Sequence, residues 1–112
     1  MNIEEFRDYC LSFPGSEEKM PFEKFFRGRH HILVFYVKGK MFCYFDIDRF
    51  DACTLKCLPE EVGELEAAYH AVSRPYNSDP KAWISVKFND DMPDGELKRL
   101  VRQSYEIVKG RA

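Results

Sequence analysis

The chain has 112 residues, 45 % of them hydrophobic and 15 % aromatic, with 17 basic and 19 acidic side chains and a formal net charge of −2. This is one domain with enough apolar mass for a real core, which excludes disorder. The slight negative charge excludes a protein that coats nucleic acid non-specifically, because such binding rests on phosphate neutralisation by Lys and Arg.

No apolar run reaches about 18 residues, so no transmembrane helix is expected. The opening MNIEEFRDYC lacks the basic and apolar regions of a signal peptide, and the expected compartment is the cytoplasm. Asn2 is a helix cap, with Glu5 completing a capping box. Ile3, Phe6, Tyr9 and Cys10 then form one helical stripe, and Ser12-Phe13-Pro14-Gly15 ends the helix. A short edge strand is placed at Met20-Pro21-Phe22, since Pro is tolerated at an edge. Phe25 to His31 is a basic, aromatic connection.

Residues 32–57 dominate the pattern. Ile32 to Val37, Lys40 to Ile47 and Ala52 to Cys57 are three runs rich in β-branched and aromatic side chains. Lys38-Gly39 separates the first two and suits a tight turn. A three-stranded antiparallel meander follows. Tyr36, Phe42 and Tyr44 are assigned to its second face. In the third strand Cys53, Leu55 and Cys57 share one face, and Thr54 and Lys56 the other.

Pro59, Glu60 and Glu61 open a second helix whose stripe is Val62, Leu65, Ala68 or Tyr69, and Val72. Ser73 to Lys81 is a loop. Trp83 to Phe88 alternates, with Ile84, Val86 and Phe88 inward and Trp83, Ser85 and Lys87 outward. Pro93 opens the last helix. Its buried face is Leu97, Leu100, Val101, Ser104, Tyr105 and Val108, and Gly110 marks its end. The element order α-β-β-β-β-α-β-α implies an α+β two-layer sandwich. In it the terminal helices pack on one face of a single antiparallel sheet.

Certain features together resemble the MmcQ/YjbR family: VKGKMF (Val37 to Phe42), LKC (Leu55 to Cys57), PEE (Pro59 to Glu61), a lone Trp83 opening the last strand, and PD-xxL-xxLVRQSYEIV (Pro93 to Val108). FRDYCLSFPG (Phe6 to Gly15) fits the family's start, and the likeness covers essentially the whole chain. The resemblance implies a CyaY-like, frataxin-like fold and DNA binding through a double-wing arrangement of hairpins. The family's Met-Asn-Lys-x-His before the Trp reads Ser78-Asp79-Pro80-Lys81-Ala82 here. Only Lys56, Trp83 and nearby basic residues carry over.

The candidate nucleic-acid site is Lys56, Trp83, Lys87, Lys40 and Arg29. Trp83 would stack a base while the cations hold phosphates. Against this stands an ordinary solvated sheet face, with Trp83 plugging the sheet edge. Arg27, Arg29, His30 and His31 form the most basic local cluster, read either as a phosphate clamp or as a solvated loop. Glu4, Glu5, Asp8, Glu17 and Glu18 could make an acidic ridge for a hard cation, although helix polar faces are normally charged. The four cysteines, Cys10, Cys43, Cys53 and Cys57, contain no C-x-x-C pair, and Cys53 and Cys57 stand about 13 Å apart at roughly 3.3 Å per residue. They read as small reduced hydrophobes, so no metal and no cofactor are expected. No P-loop, G-x-S-x-G or G-x-G-x-x-G occurs, and no enzymatic activity is expected. The expected partner is DNA, held weakly by a monomer with no membrane association. The alternative is a protein-interaction or metal-handling module.

Overall fold

In a computed structural model, residues 1–20, 31–76 and 78–111 are described, the side chain of Arg111 excepted. Three helices lie among them: α1 (Ile3–Leu11), α2 (Pro59–Ala68) and α3 (Asp94–Arg111). The strands are β1 (Ser16–Lys19), β2 (Ile32–Val37), β3 (Lys40–Asp46), β4 (Ala52–Lys56), β5 (Val72–Ser73) and β6 (Trp83–Lys87). They form one sheet in the order β1-β2-β3-β4-β6-β5, with every neighbouring pair antiparallel. The α+β class and the single helix-covered sheet are as the sequence implies.

Local chemistry explains the elements. Asn2 accepts from Glu5 N at 2.8 Å and Glu5 reaches back to Asn2 N, so the capping box starts α1. Gly15, at φ 76°, turns the chain straight into β1. Lys38 (φ 52°) and Gly39 (φ 77°) both sit in the left-handed region, as a two-residue hairpin of the primed type requires. Pro59 occupies the first turn of α2, where its missing N–H costs nothing.

One face of the sheet carries Leu33, Phe35, Val37, Cys43, Phe45, Cys53, Leu55, Ile84 and Val86, all buried. The helices cover this face. Phe6 of α1 meets Phe35, Phe45 and Phe88 edge-on, with centroids 6.5, 5.5 and 4.9 Å away. Every residue assigned to the buried face of α3 is buried, from Leu97 to Val108. Tyr9 Oη donates to Lys98 O at 2.9 Å, and Tyr105 Oη donates to Pro14 O, which ties α1 and its turn to α3.

Four details differ from the sequence reading. The described edge strand is Ser16–Lys19 and excludes Met20, because the turn at Gly15 folds the chain back at once to pair Ser16 with Val37. Of the predicted strand, Pro21 and Phe22 lie outside the described residues. Val72 belongs to β5 rather than to a helical stripe, since α2 ends at Ala68 and the chain pairs Val72 with Val86. The last helix runs through Gly110 to Arg111. Phe42 is core-facing, not on the second face. Phe35 pairs with Cys43 and Tyr36 with Met41, so Phe42 is the extra residue of a bulge. Alternation breaks there, and Phe42 and Cys43 are both fully buried.

Beyond Cys43 the β3–β4 ladder ends, and the Phe42 carbonyl takes its partner from α3 instead. Ser104, fully buried on α3, donates its hydroxyl to that carbonyl. The Ser104 hydroxyl oxygen in turn accepts from Lys56 N at 2.9 Å, at the end of β4. Ser104→Ala would orphan both backbone groups, and a loss of about 1–3 kcal/mol is expected by denaturant titration. An unchanged unfolding midpoint would show the bridge to be dispensable. Leu100, with no exposed surface, should cost roughly 2–5 kcal/mol on truncation to Ala.

Candidate functional site

The β3–β4 ladder pairs Cys43 to Phe45 with Leu55 to Cys53 and stops there. Lys56 N turns to Ser104 instead of to β3. A notch of about 290 Å³ opens at this end, lined by Lys40, Met41, Lys56, Trp83 and Val108. Val108, from the last turns of α3, contributes to its lining. Strand register places the hairpin turn Lys38-Gly39, the end of β4 and the start of β6 at this one end of the sheet.

Trp83 and Lys56 are register partners on the face away from the helices. The Lys56 ammonium lies 5.5 Å from the indole centroid, a cation–π contact worth about 0.5–1 kcal/mol at an exposed site. Tyr44 packs tilted against Trp83 at 6.3 Å, and Tyr44 Oη is hydrogen-bonded to Ser78 Oγ at 2.7 Å. Trp83 is therefore only 8 % exposed. It is a wall of the notch rather than the open stacking platform expected from alternation. Neighbours on the sheet and the loop before β6 cover its ring.

Lys38, Lys40, Lys56 and Lys81 have no carboxylate partner among the described residues. Charge at the opposite end of the sheet is arranged differently. Asp46 ends β3, Asp48 and Asp51 stand in the β3–β4 turn, and Asp90, Asp91 and Asp94 follow β6. Lys87 lies at this acidic end, 4.0 Å from Asp90. It shares the outer face with Lys56 but sits about 13 Å along β6 from Trp83. The structure thus brings together Lys40, Lys56 and Trp83 and leaves Lys87 apart. Arg29 lies outside the described residues, as do Arg27 and His30. His31 pairs with Asp48 at 2.7 Å.

The acidic ridge does not assemble as a cation site. The Arg7 guanidinium holds both oxygens of Glu18 at 2.9 and 2.8 Å, and Glu5 is engaged in the helix cap. No group of three His, Cys, Asp or Glu among the described residues has metal-binding geometry. Cys10, Cys43, Cys53 and Cys57 are all buried and free. Burial pushes the Cys43 and Cys53 thiols well up. Protonated thiols are poor ligands and poor nucleophiles.

Sequence periodicity missed Met41 and Val108 as lining residues, because the bulge and the end of the ladder decide their placement. The one available signal was Ser104, a hydroxyl on an otherwise apolar helical stripe.

A family model, YjbR, matches residues 11–107. The chain belongs to the YjbR family. Among solved structures, a Deinococcus radiodurans protein, DR2400, described as carrying a DUF419 domain, is 29 % identical with a TM-score of 0.85. The match covers 96 % of this chain and 78 % of that one. A Pseudomonas syringae protein has the same fold in a crystal structure, at 23 % identity and a TM-score of 0.75, with 96 % of this chain and 99 % of that chain covered. A solution structure from the same organism matches with a TM-score of 0.73 and 23 % identity, covering 96 % and 93 % of the two chains. No curated protein matches. No helix among the described residues of this YjbR domain is long and apolar enough to cross a membrane.

Burial, and secondarily the nearby Glu61 carboxylate, pushes the Cys57 thiol from its ordinary 9.0 up to about 11. That lowers its thiolate fraction at pH 8 by about 100-fold. Iodoacetamide at pH 8 should alkylate the native protein at least about 100-fold more slowly than the guanidinium-unfolded chain. A native rate close to the unfolded one would contradict the burial of the thiols.

Proposed function

We propose that this YjbR domain is a non-enzymatic protein that binds nucleic acid weakly through the hairpin end of its sheet. The observation that carries the reading is the convergence of Lys40 and Lys56, neither paired with a carboxylate among the described residues, on a notch walled by Trp83. Lys38 on the adjoining turn extends the cationic rim. Cations without a carboxylate partner are available for phosphate, whereas a cation already in an ion pair must first give up its partner.

The distribution of charge also orients such a ligand. Lys38, Lys40, Lys56 and Lys81 gather at the hairpin end, where Asp79 also stands, and most strand-end aspartates lie at the other, so an anionic backbone is drawn to the hairpin end and repelled from the β3–β4 turn. With about three phosphate contacts, log K should fall with log salt at a slope of roughly −2 to −3. Affinity is correspondingly low at physiological salt. Metal handling finds no support in the geometry, because Arg7 sits inside the acidic ridge. A protein partner remains the second reading, and the same end of the molecule would serve it.

Fluorescence anisotropy with short labelled oligonucleotides at low salt tests the proposal. Lys40→Glu combined with Lys56→Glu should abolish binding with little change in Tm, because neither side chain is part of the core. Lys87→Glu, remote and already beside Asp90, should change Kd by less than about twofold. Absence of binding by the wild type, or equal binding by the double variant, would overturn the reading.

A further inference from the structure

We propose that the notch beside Trp83 is a socket for one unpaired nucleobase, which makes the domain selective for single strands over duplex. The proposal rests on the nucleic-acid reading for its polymer, but the socket itself can be tested with a mononucleotide.

The argument begins with the notch's size and lining. At about 290 Å³ it stands at the lower end of the range for small-molecule sites, so it admits a single ring system. Met41, Trp83 and Val108 give it apolar walls, and none of its described lining residues carries a carboxylate side chain. Apolar walls with two ammonium groups at the rim complement a planar, uncharged ring joined to an anion. A nucleotide has that form. A base inside a duplex does not present it, because its faces are covered by its neighbours and its edge by its partner.

Lys56 supplies the means of entry. Its ammonium lies over the indole, 5.5 Å from the ring centroid. The side chain is a flexible stem with a mobile charge, so it can swing from the indole to the phosphate attached to the entering base. The part of the indole that walls the notch then exchanges a cation for a base, and every base has a π-face to offer. Sequence preference is therefore slight. Lys40, on the β3 side of the notch, is placed for a second phosphate.

Trp83 is the only tryptophan in the chain, so its emission reports on this site alone. Adenosine 5′-monophosphate should change that emission saturably, and ribose 5-phosphate should leave it unaltered. At low salt a single-stranded oligonucleotide should bind about tenfold or more tighter than its duplex. Met41→Tyr, which fills the notch and keeps both lysines, should remove the nucleotide response and most of the single-strand preference. Circular dichroism and Tm verify that the variant folds. No response to the mononucleotide, or duplex binding equal to single-strand binding, overturns the socket. Equal binding to both oligonucleotides without a nucleotide response would still leave the general nucleic-acid reading standing. A nucleotide response without retention of any oligonucleotide would keep the socket and overturn that reading instead.

Discussion

The Ser104 hydroxyl is the constraint on which the shape of the hairpin end depends. A β-bulge removes one residue from the ladder and leaves its carbonyl to be satisfied elsewhere. Buried polar groups without partners are costly, so a bulge in the middle of a covered sheet needs a donor from outside the sheet. Ser104 is that donor for Phe42, and it is also the acceptor for Lys56 N. One side chain therefore fixes the helix to two strands and holds those strands apart. The notch lies at the end of those strands, beside Lys56. The place of Ser104 in α3, the bulge in β3 and the position of Lys56 meet in a single pair of hydrogen bonds.

Around this point the packing is aromatic. Phe13 stacks on Tyr105 at 4.7 Å, and Phe42 meets Tyr105 edge-on at 5.5 Å. At the other end of the core Phe50 stacks on Phe88 at 4.0 Å, and Phe6 sits between Phe45 and Phe88. Large planar side chains fill the volume between a twisted sheet and two helices with few conformational degrees of freedom. This accounts for how a chain of 112 residues covers one face of a six-stranded sheet. It also explains the cysteines. Cys10, Cys43 and Cys53 fill the small gaps between these rings and have no exposed surface.

Much of the fold was legible because it follows from periodicity. The α3 stripe, the meander and the inward set Ile84, Val86 and Phe88 are all set by regular spacing, and the structure keeps them. What was not legible depends on single backbone events. The bulge reverses the face of Phe42, the turn at Gly15 starts β1 early, and the pairing of Val72 with Val86 takes Val72 from the helix. None of these leaves a periodic trace. The candidate site divides in the same way. Lys56 and Trp83 are cross-strand partners, so alternation places them together. Lys87 shares their face by the same alternation, yet strand direction carries it to the acidic end. Periodicity reports the face of a residue and not its position along the strand. Trp83's burial also escaped alternation, because it comes from Tyr44 and Ser78, which neighbouring elements supply.

The edges of the sheet have a further consequence. An open antiparallel sheet ends in two rows of backbone groups that another chain could extend. Here β1 carries Glu17, Glu18 and Lys19 in a four-residue strand, and β5 is only two residues long. Charge at one edge and brevity at the other deprive a second sheet of a flat, apolar template. The core strands β2, β3 and β4, whose residues would pair readily in amyloid-like stacks, are held in the interior of the sheet order. The arrangement that sets the lysines at one end of the molecule also guards the β-rich segment against edge-to-edge growth.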